Sequence, residues 1–196
     1  MKTSKPISTI SYNTDSYLIL KLNELVEAKV IEFWCYMSHK AEDDEAGKKD
    51  HKHIFAIPTK MVQTADLKPH FQEFCGVDKK PLGVTIFVHS DPDNFILYAL
   101  HDKSYLASKG QSRKFHYEFD EFITNDPDTL YFLYRQIDLL SLSRYHDLVE
   151  ASEKGLTFKE YLSRGTVPVQ QIFQFEHLWS LINSDETNRN GKPNHD

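Results

Sequence analysis

Short apolar runs bounded by polar residues predict three strands between residues 30 and 90. Val30–His39 (VIEFWCYMSH) sets Phe33, Cys35, Met37 and His39 on one face. His51–Ile57 (HKHIFAI) is ended by Pro58, and Gly83–Ser90 (GVTIFVHS) is the third. Ser16–Leu22 (SYLILKL) is a further strand candidate, while Asn23–Lys29 suits either a short helix or a continuation of that strand. Residues 1–15 read as a polar lead-in and Lys40–Asp50 as a charged loop.

Helical spacing governs the remaining segments. Thr64–Phe74 has Thr64 as a cap and Cys75-Gly76 as a stop. Asp91-Pro92 starts a helix over Asp93–His101, with Phe95, Ile96, Leu97, Ala99 and Leu100 on its apolar arc. Its polar arc holds Asn94, Tyr98, His101 and Asp102, with Tyr98 at the centre, where the core has no need of a tyrosine. Phe115–Phe119 reads as a strand. Helices follow over Asp128–Leu142, Ser143–Glu153, Thr157–Arg164 (stopped by Gly165) and Pro168–Asn183. The last is expected to bury Ile172, Phe173, Phe175, Leu178 and one of Leu181 and Ile182. The class is α+β, an antiparallel sheet backed by helices with a C-terminal helical segment. Residues 1–125 are expected to form one domain, 126–183 a helical region and 184–196 a disordered tail.

Composition narrows the function classes. The 196 residues are 40% hydrophobic and 13% aromatic, enough for a core. No apolar run approaches the ~20 residues of a membrane span, and the first sixteen residues lack an apolar signal core. The two cysteines, Cys35 and Cys75, form no thiolate zinc pattern, so a reducing cytoplasm is expected and no membrane partner. The net charge of −6 is unevenly distributed: residues 1–116 hold 16 Lys+Arg against 15 Asp+Glu, and residues 117–196 hold 7 against 14. Within 101–116, Lys103, Lys109, Arg113 and Lys114 face Asp102 alone. A local basic loop of this kind suits phosphate contacts whatever the total charge.

The chemistry gathers at His51-Lys52-His53. Residues i and i+2 of a strand share a face, so the two imidazoles converge on one point while Lys52 turns away. The short connection pairs this strand with Val30–His39, which brings His39 alongside as a third ligand. Glu42, Asp43 and Asp44 follow at once and offer a carboxylate. Mixed imidazole and carboxylate donors suit Mn²⁺ or Mg²⁺ acting on phosphate oxygens. A cation beside Tyr98 favours attack by its oxygen on a DNA phosphate, giving a 5′-phosphotyrosine and a free 3′-OH. That linkage conserves the energy of the broken bond, so the strand can be rejoined.

In order and spacing, Ser38-His39-Lys40-Ala41-Glu42, Asp50-His51-Lys52-His53-Ile54-Phe55, Leu97-Tyr98-Ala99-Leu100-His101 and Lys114-Phe115-His116-Tyr117-Glu118 resemble the HUH endonucleases. Within these, the chain is most similar to the replication initiators of small rolling-circle plasmids of the streptococcal type, over roughly residues 16–124. The resemblance implies a ferredoxin/RRM-like sheet, metal ligands His39, Glu42, His51 and His53, and Tyr98 as nucleophile. It implies a sequence-specific nicking enzyme that starts rolling-circle replication with Mn²⁺ or Mg²⁺. Origin DNA, single-stranded at the nick site, would be the substrate, with host replication proteins and a second copy of the chain as further partners to consider. Lys103, Lys109, Arg113 and Lys114 would hold the DNA backbone. Three departures stand out: Lys52 replaces a hydrophobe, Lys40 the first aspartate after His39, and Glu42 an aspartate. His101 sits where viral relatives carry lysine. The rivals are a relaxase or single-strand transposase with the same site, and a non-enzymatic nucleic-acid-binding module with a structural metal. No Gly-x-x-x-x-Gly-Lys-Ser/Thr loop occurs, so no ATPase is implied.

Overall fold

The computed structural model describes residues 1–41, 49–72, 83–90, 93–111, 113, 115–137 and 142–187. The elements of the first 100 residues are β1 (Lys2–Thr3), β2 (Ile7–Ser11), α1 (Asp15–Glu27), β3 (Ile31–His39), β4 (His51–Pro58), β5 (Val62–Gln63), α2 (Thr64–Phe71), β6 (Phe87–Val88) and α3 (Asp93–Ala99). There follow α4 (Lys103–Ser108), β7 (Ile123–Thr124), α5 (Pro127–Arg135), α6 (Ser143–Glu153), α7 (Phe158–Ser163) and α8 (Ile172–Thr187). The chain forms two compact units, one of residues 1–100 and 118–137, the other of residues 101–117 and the segment from 138 on. This division falls elsewhere than the boundary expected at 125/126, because residues 101–117 go with the C-terminal helices.

In the first unit the described strands form a five-stranded antiparallel sheet in the order β6-β2-β4-β3-β7, beside a small β1-β5 pair. The run β2-α1-β3-β4-α2-β6 is a split βαβ arrangement of the ferredoxin-like kind, and β7 extends its β3 edge. The α+β class read from the sequence is the class of the fold.

Two corrections lie at its start. The expected strand Ser16–Leu22 is the first half of α1: Leu18, Leu22 and Leu25 are buried at helical spacing while Leu20, which a strand would bury with them, is exposed. Thr14 caps the helix by accepting from the Tyr17 amide at 3.4 Å. The expected polar lead-in contains β2, an interior strand. Its polarity is internally satisfied: the Thr9 hydroxyl donates to the Thr85 carbonyl (2.8 Å) and the Ser11 hydroxyl to the Phe71 carbonyl (3.2 Å).

Other expectations shift at the margins. Gly83–Ser90 contributes only β6, and Phe115–Phe119 is not a strand; the partner of β3 on the side away from β4 is β7. Residues 103–108 of the basic loop are α4, whose first turn Asp102 caps at the Tyr105 amide (2.7 Å). Gln63, not Thr64, precedes the first residue of α2, without a side-chain cap. Cys75-Gly76 and Asp91-Pro92 lie outside the described residues; of the tail expected to be disordered over 184–196, residues 184–187 belong to α8 and the rest lies outside the described residues.

One face of the sheet, with Trp34, Tyr36, Ile54 and Ala56, packs under α1 and α2. α3 lies on the other face, where Phe95 stacks on Phe55 with ring centroids 5.1 Å apart. Cys35 is buried on that face, and burial pushes its thiol up from the ordinary range. A raised value keeps the thiol protonated at neutral pH. Iodoacetamide is therefore expected to leave Cys35 unlabelled in native protein and to modify it in denaturant; mass spectrometry of the Cys35 peptide reads the difference.

In the second unit Leu148, Ala151, Tyr161, Phe175 and Leu178 form the core of α6, α7 and α8. Thr157 and Glu160 cap α7 reciprocally (2.7 and 3.3 Å), and Gly165, at φ 71°, closes it. Phe173, expected inside, is exposed: Phe175 and Leu178 fix the buried stripe of α8, and Phe173 falls off it.

Candidate metal centre

β3 and β4 pair in a register that sets His39 directly opposite His51 and Met37 opposite His53. Cross-strand partners share a face, so the alternation that puts His51 beside His53 also puts His39 among them. All three side chains are buried, and one ring nitrogen from each lies within 4.8 Å of the other two. The Nε2 atoms of His51 and His53 are 3.2 Å apart. Two nitrogens bound at about 2.1 Å to one ion stand roughly 3.0–3.4 Å apart, so this edge already has the length a shared ion requires.

Backbone carbonyls orient two of the rings. His39 Nε2 lies 2.7 Å from the Ala99 carbonyl and His51 Nδ1 lies 2.9 Å from the Lys49 carbonyl. A carbonyl only accepts, so these nitrogens donate, and the lone pair of each neutral ring rests on the other nitrogen. This is the supporting arrangement that ligating histidines need. Neither carbonyl is legible in the sequence: Ala99 reaches the cluster only because α3 packs across β3 and β4. The three histidines together could hold a metal ion, with donor chemistry that fits a divalent transition metal.

Tyr98 lies on the same side of the sheet. Its half-buried ring meets His53 edge-on, with centroids 5.4 Å apart. The helical period places it there: Leu97 and Ala99 on either side of it are buried, as the apolar arc predicts. His101 departs from its expected place on the polar arc. It is buried and adopts a left-handed backbone, φ 52°. Within the second unit its Nδ1 donates to the Phe115 carbonyl (3.0 Å), and its own carbonyl accepts from His116 Nδ1.

Lys52, the departure between the histidines, points to the α1 face, where its ammonium lies 3.5 Å from Asp15 and the Tyr36 hydroxyl donates to the same carboxylate at 3.0 Å. Burial, then Asp15, pushes the Tyr36 phenol up. Replacing Lys52 by methionine is thus expected to leave metal affinity unchanged, as isothermal titration would record, because the sheet separates the two side chains.

Glu42, Asp43 and Asp44 lie outside the described residues, as does Lys114. The ends of the loop that carries these acids are pinned by Asp50, which accepts from the Ala41 amide (2.9 Å) and pairs with Lys40 (3.3 Å). The amide, more than the lysine, holds the Asp50 carboxyl below its usual range. Lys103, Lys109 and Arg113 belong to the second unit. There Lys103 pairs with Glu153, and the Lys109 ammonium sits 5.2 Å from the centre of the Tyr105 ring. No helix among the described residues is long and apolar enough to cross a membrane.

A scan against protein-family models gives no match for this chain, and a search of curated proteins gives none.

Proposed function

We propose that the protein nicks and rejoins a DNA strand at a replication origin, in the manner of a rolling-circle initiator working in the cytoplasm. The observation that carries this reading is the triad of His39, His51 and His53 on the face where the Tyr98 ring packs against His53. The order and spacing of the sequence segments around these residues support the initiator over the other nicking enzymes.

In this reading His39, His51 and His53 would hold the ion, with Glu42 as the expected fourth ligand. Three imidazoles suit Mn²⁺ better than Mg²⁺, which prefers oxygen donors. When bound, the ion supplies electrostatic stabilisation at the phosphate oxygens. Tyr98 Oη attacks the phosphorus, the Tyr98 O–P bond forms, and the P–O3′ bond breaks. The phenol proton passes to solvent, and the departing 3′ oxygen takes a proton from solvent. The strand is left as a 5′-phosphotyrosine diester and a free 3′-OH. Rejoining is the reverse: a 3′-OH attacks the diester and releases the Tyr98 side chain. No redox partner or nucleotide is consumed.

The test is incubation with Mn²⁺ and labelled single strands tiled from the replicon that carries the gene. A denaturant-resistant protein–DNA adduct at one tile is expected. Binding without an adduct at any tile would favour the non-enzymatic module.

A further inference from the structure

The face of the sheet that carries the histidines is divided. α3 covers its β3–β4 half, through Phe95 on Phe55 and Tyr98 on His53. The β2–β6 half presents Tyr12, Ile10 and Phe87, which are 43%, 37% and 55% exposed. Register ties this strip to the triad. Ile10 pairs with His53 and Ser8 with both Phe55 and Phe87, so Ser8, Ile10 and Phe87 share the histidine face. Tyr12, one step beyond β2, continues the alternation, and its ring centroid is 6.2 Å from that of His51. His39, under α3, is 1% exposed, against 6% and 7% for His51 and His53 on β4, the strand next to this strip.

Charge points to the occupant. Residues 1–14 contain Lys2 and Lys5 and no carboxylate, and residues 83–90 contain no charged residue, in a chain of net charge −6. Lys5 donates to the Ser90 hydroxyl (3.2 Å), just past the paired ends of β2 and β6. Flat apolar side chains on strands that carry no anion are what exposed nucleobases on a phosphate backbone require.

We infer that Tyr12, Ile10 and Phe87 form a stacking platform for the bases of single-stranded DNA beside the phosphate held at the histidine triad. This rests on the nicking reading for the identity of the strand, but the platform acts in binding and needs neither metal nor chemistry. Tyr12 carries the base next to the triad. Phe87 carries one farther along, since Ser8, its partner, lies about 13 Å from Tyr12 at about 3.3 Å per residue. Ile10 fills the surface between them.

The test is fluorescence anisotropy of a labelled oligothymidylate strand in chelator, so that no cleavage occurs. Tyr12→Ala is expected to weaken binding about ten-fold and Phe87→Ala by a similar factor, since one stacked base contributes on that order. Tyr12→Phe should restore binding, because the ring and not the hydroxyl stacks. Leu20→Ala, an exposed apolar change on α1 across the sheet, serves as control. With an abasic strand of equal length, Tyr12→Ala should cause no further loss. Unchanged affinity in Tyr12→Ala and Phe87→Ala proteins that melt like the wild type would overturn the platform, as would an equal loss on the abasic strand. Tighter binding to duplex than to single strand would also overturn it. A platform result without an adduct in Mn²⁺ leaves stacking standing and removes the nickase; an adduct with unchanged Tyr12→Ala affinity does the reverse.

Discussion

Replacing Tyr98 by phenylalanine is expected to abolish the covalent protein–DNA adduct, a loss of more than about a thousand-fold in its rate of formation. The reason is chemical rather than architectural. Phenylalanine keeps the ring that packs edge-on against His53 at 5.4 Å, so the cluster beneath it stays in place. It lacks only the oxygen that would become bonded to phosphorus. Affinity for single-stranded DNA and for Mn²⁺ should therefore be preserved, which separates a missing nucleophile from a damaged fold. Denaturing electrophoresis with end-labelled DNA measures the adduct, and mass spectrometry of the nucleotide-bearing peptide should identify Tyr98. An undiminished adduct in the Tyr98→Phe protein would end the assignment.

Addition of Mn²⁺ is expected to raise the thermal midpoint of the protein, and His51→Ala to remove that rise. An ion that binds only the folded state at a hundred times its Kd stabilises by about 2.7 kcal/mol, which for a chain of this size is roughly 5–10 °C. The structure explains why the effect should be large: the His51 and His53 nitrogens already stand 3.2 Å apart, and two backbone carbonyls hold the rings of His39 and His51. Little ordering remains to oppose binding. The comparison concerns the metal-induced shift, so any change in metal-free stability on removing a buried imidazole does not affect it. Mg²⁺ should give a smaller shift than Mn²⁺ at equal concentration, as nitrogen donors require. The same rise in His51→Ala protein would place the ion elsewhere.

The regions legible in the sequence are those where one local pattern sufficed. Apolar runs, Phe33–Met37 and Ile54–Ile57, marked β3 and β4, and the alternation of side-chain faces put two histidines on one side. The short link between the strands made them neighbours, and helical period set Tyr98 apart from the apolar arc of α3. α7 was legible for the same reason, since its Thr157 cap and its Gly165 stop agree there. Three things were decided by tertiary packing alone. β2 is too polar to announce itself, because its Ser and Thr hydroxyls find carbonyl partners only once α2 and the segment before β6 are in place. Ser16–Leu22 satisfies strand and helix patterns equally over a short window, and the sheet face that needed Leu18, Leu22 and Leu25 chose the helix. His101 belongs on a polar arc by period, yet it is buried where the helix ends, because its ring meets the Phe115 carbonyl. A strand's alternation is local and survives in the sequence. The partners of a hydroxyl, a carbonyl or a buried imidazole come from distant parts of the chain, and only the folded structure brings them together.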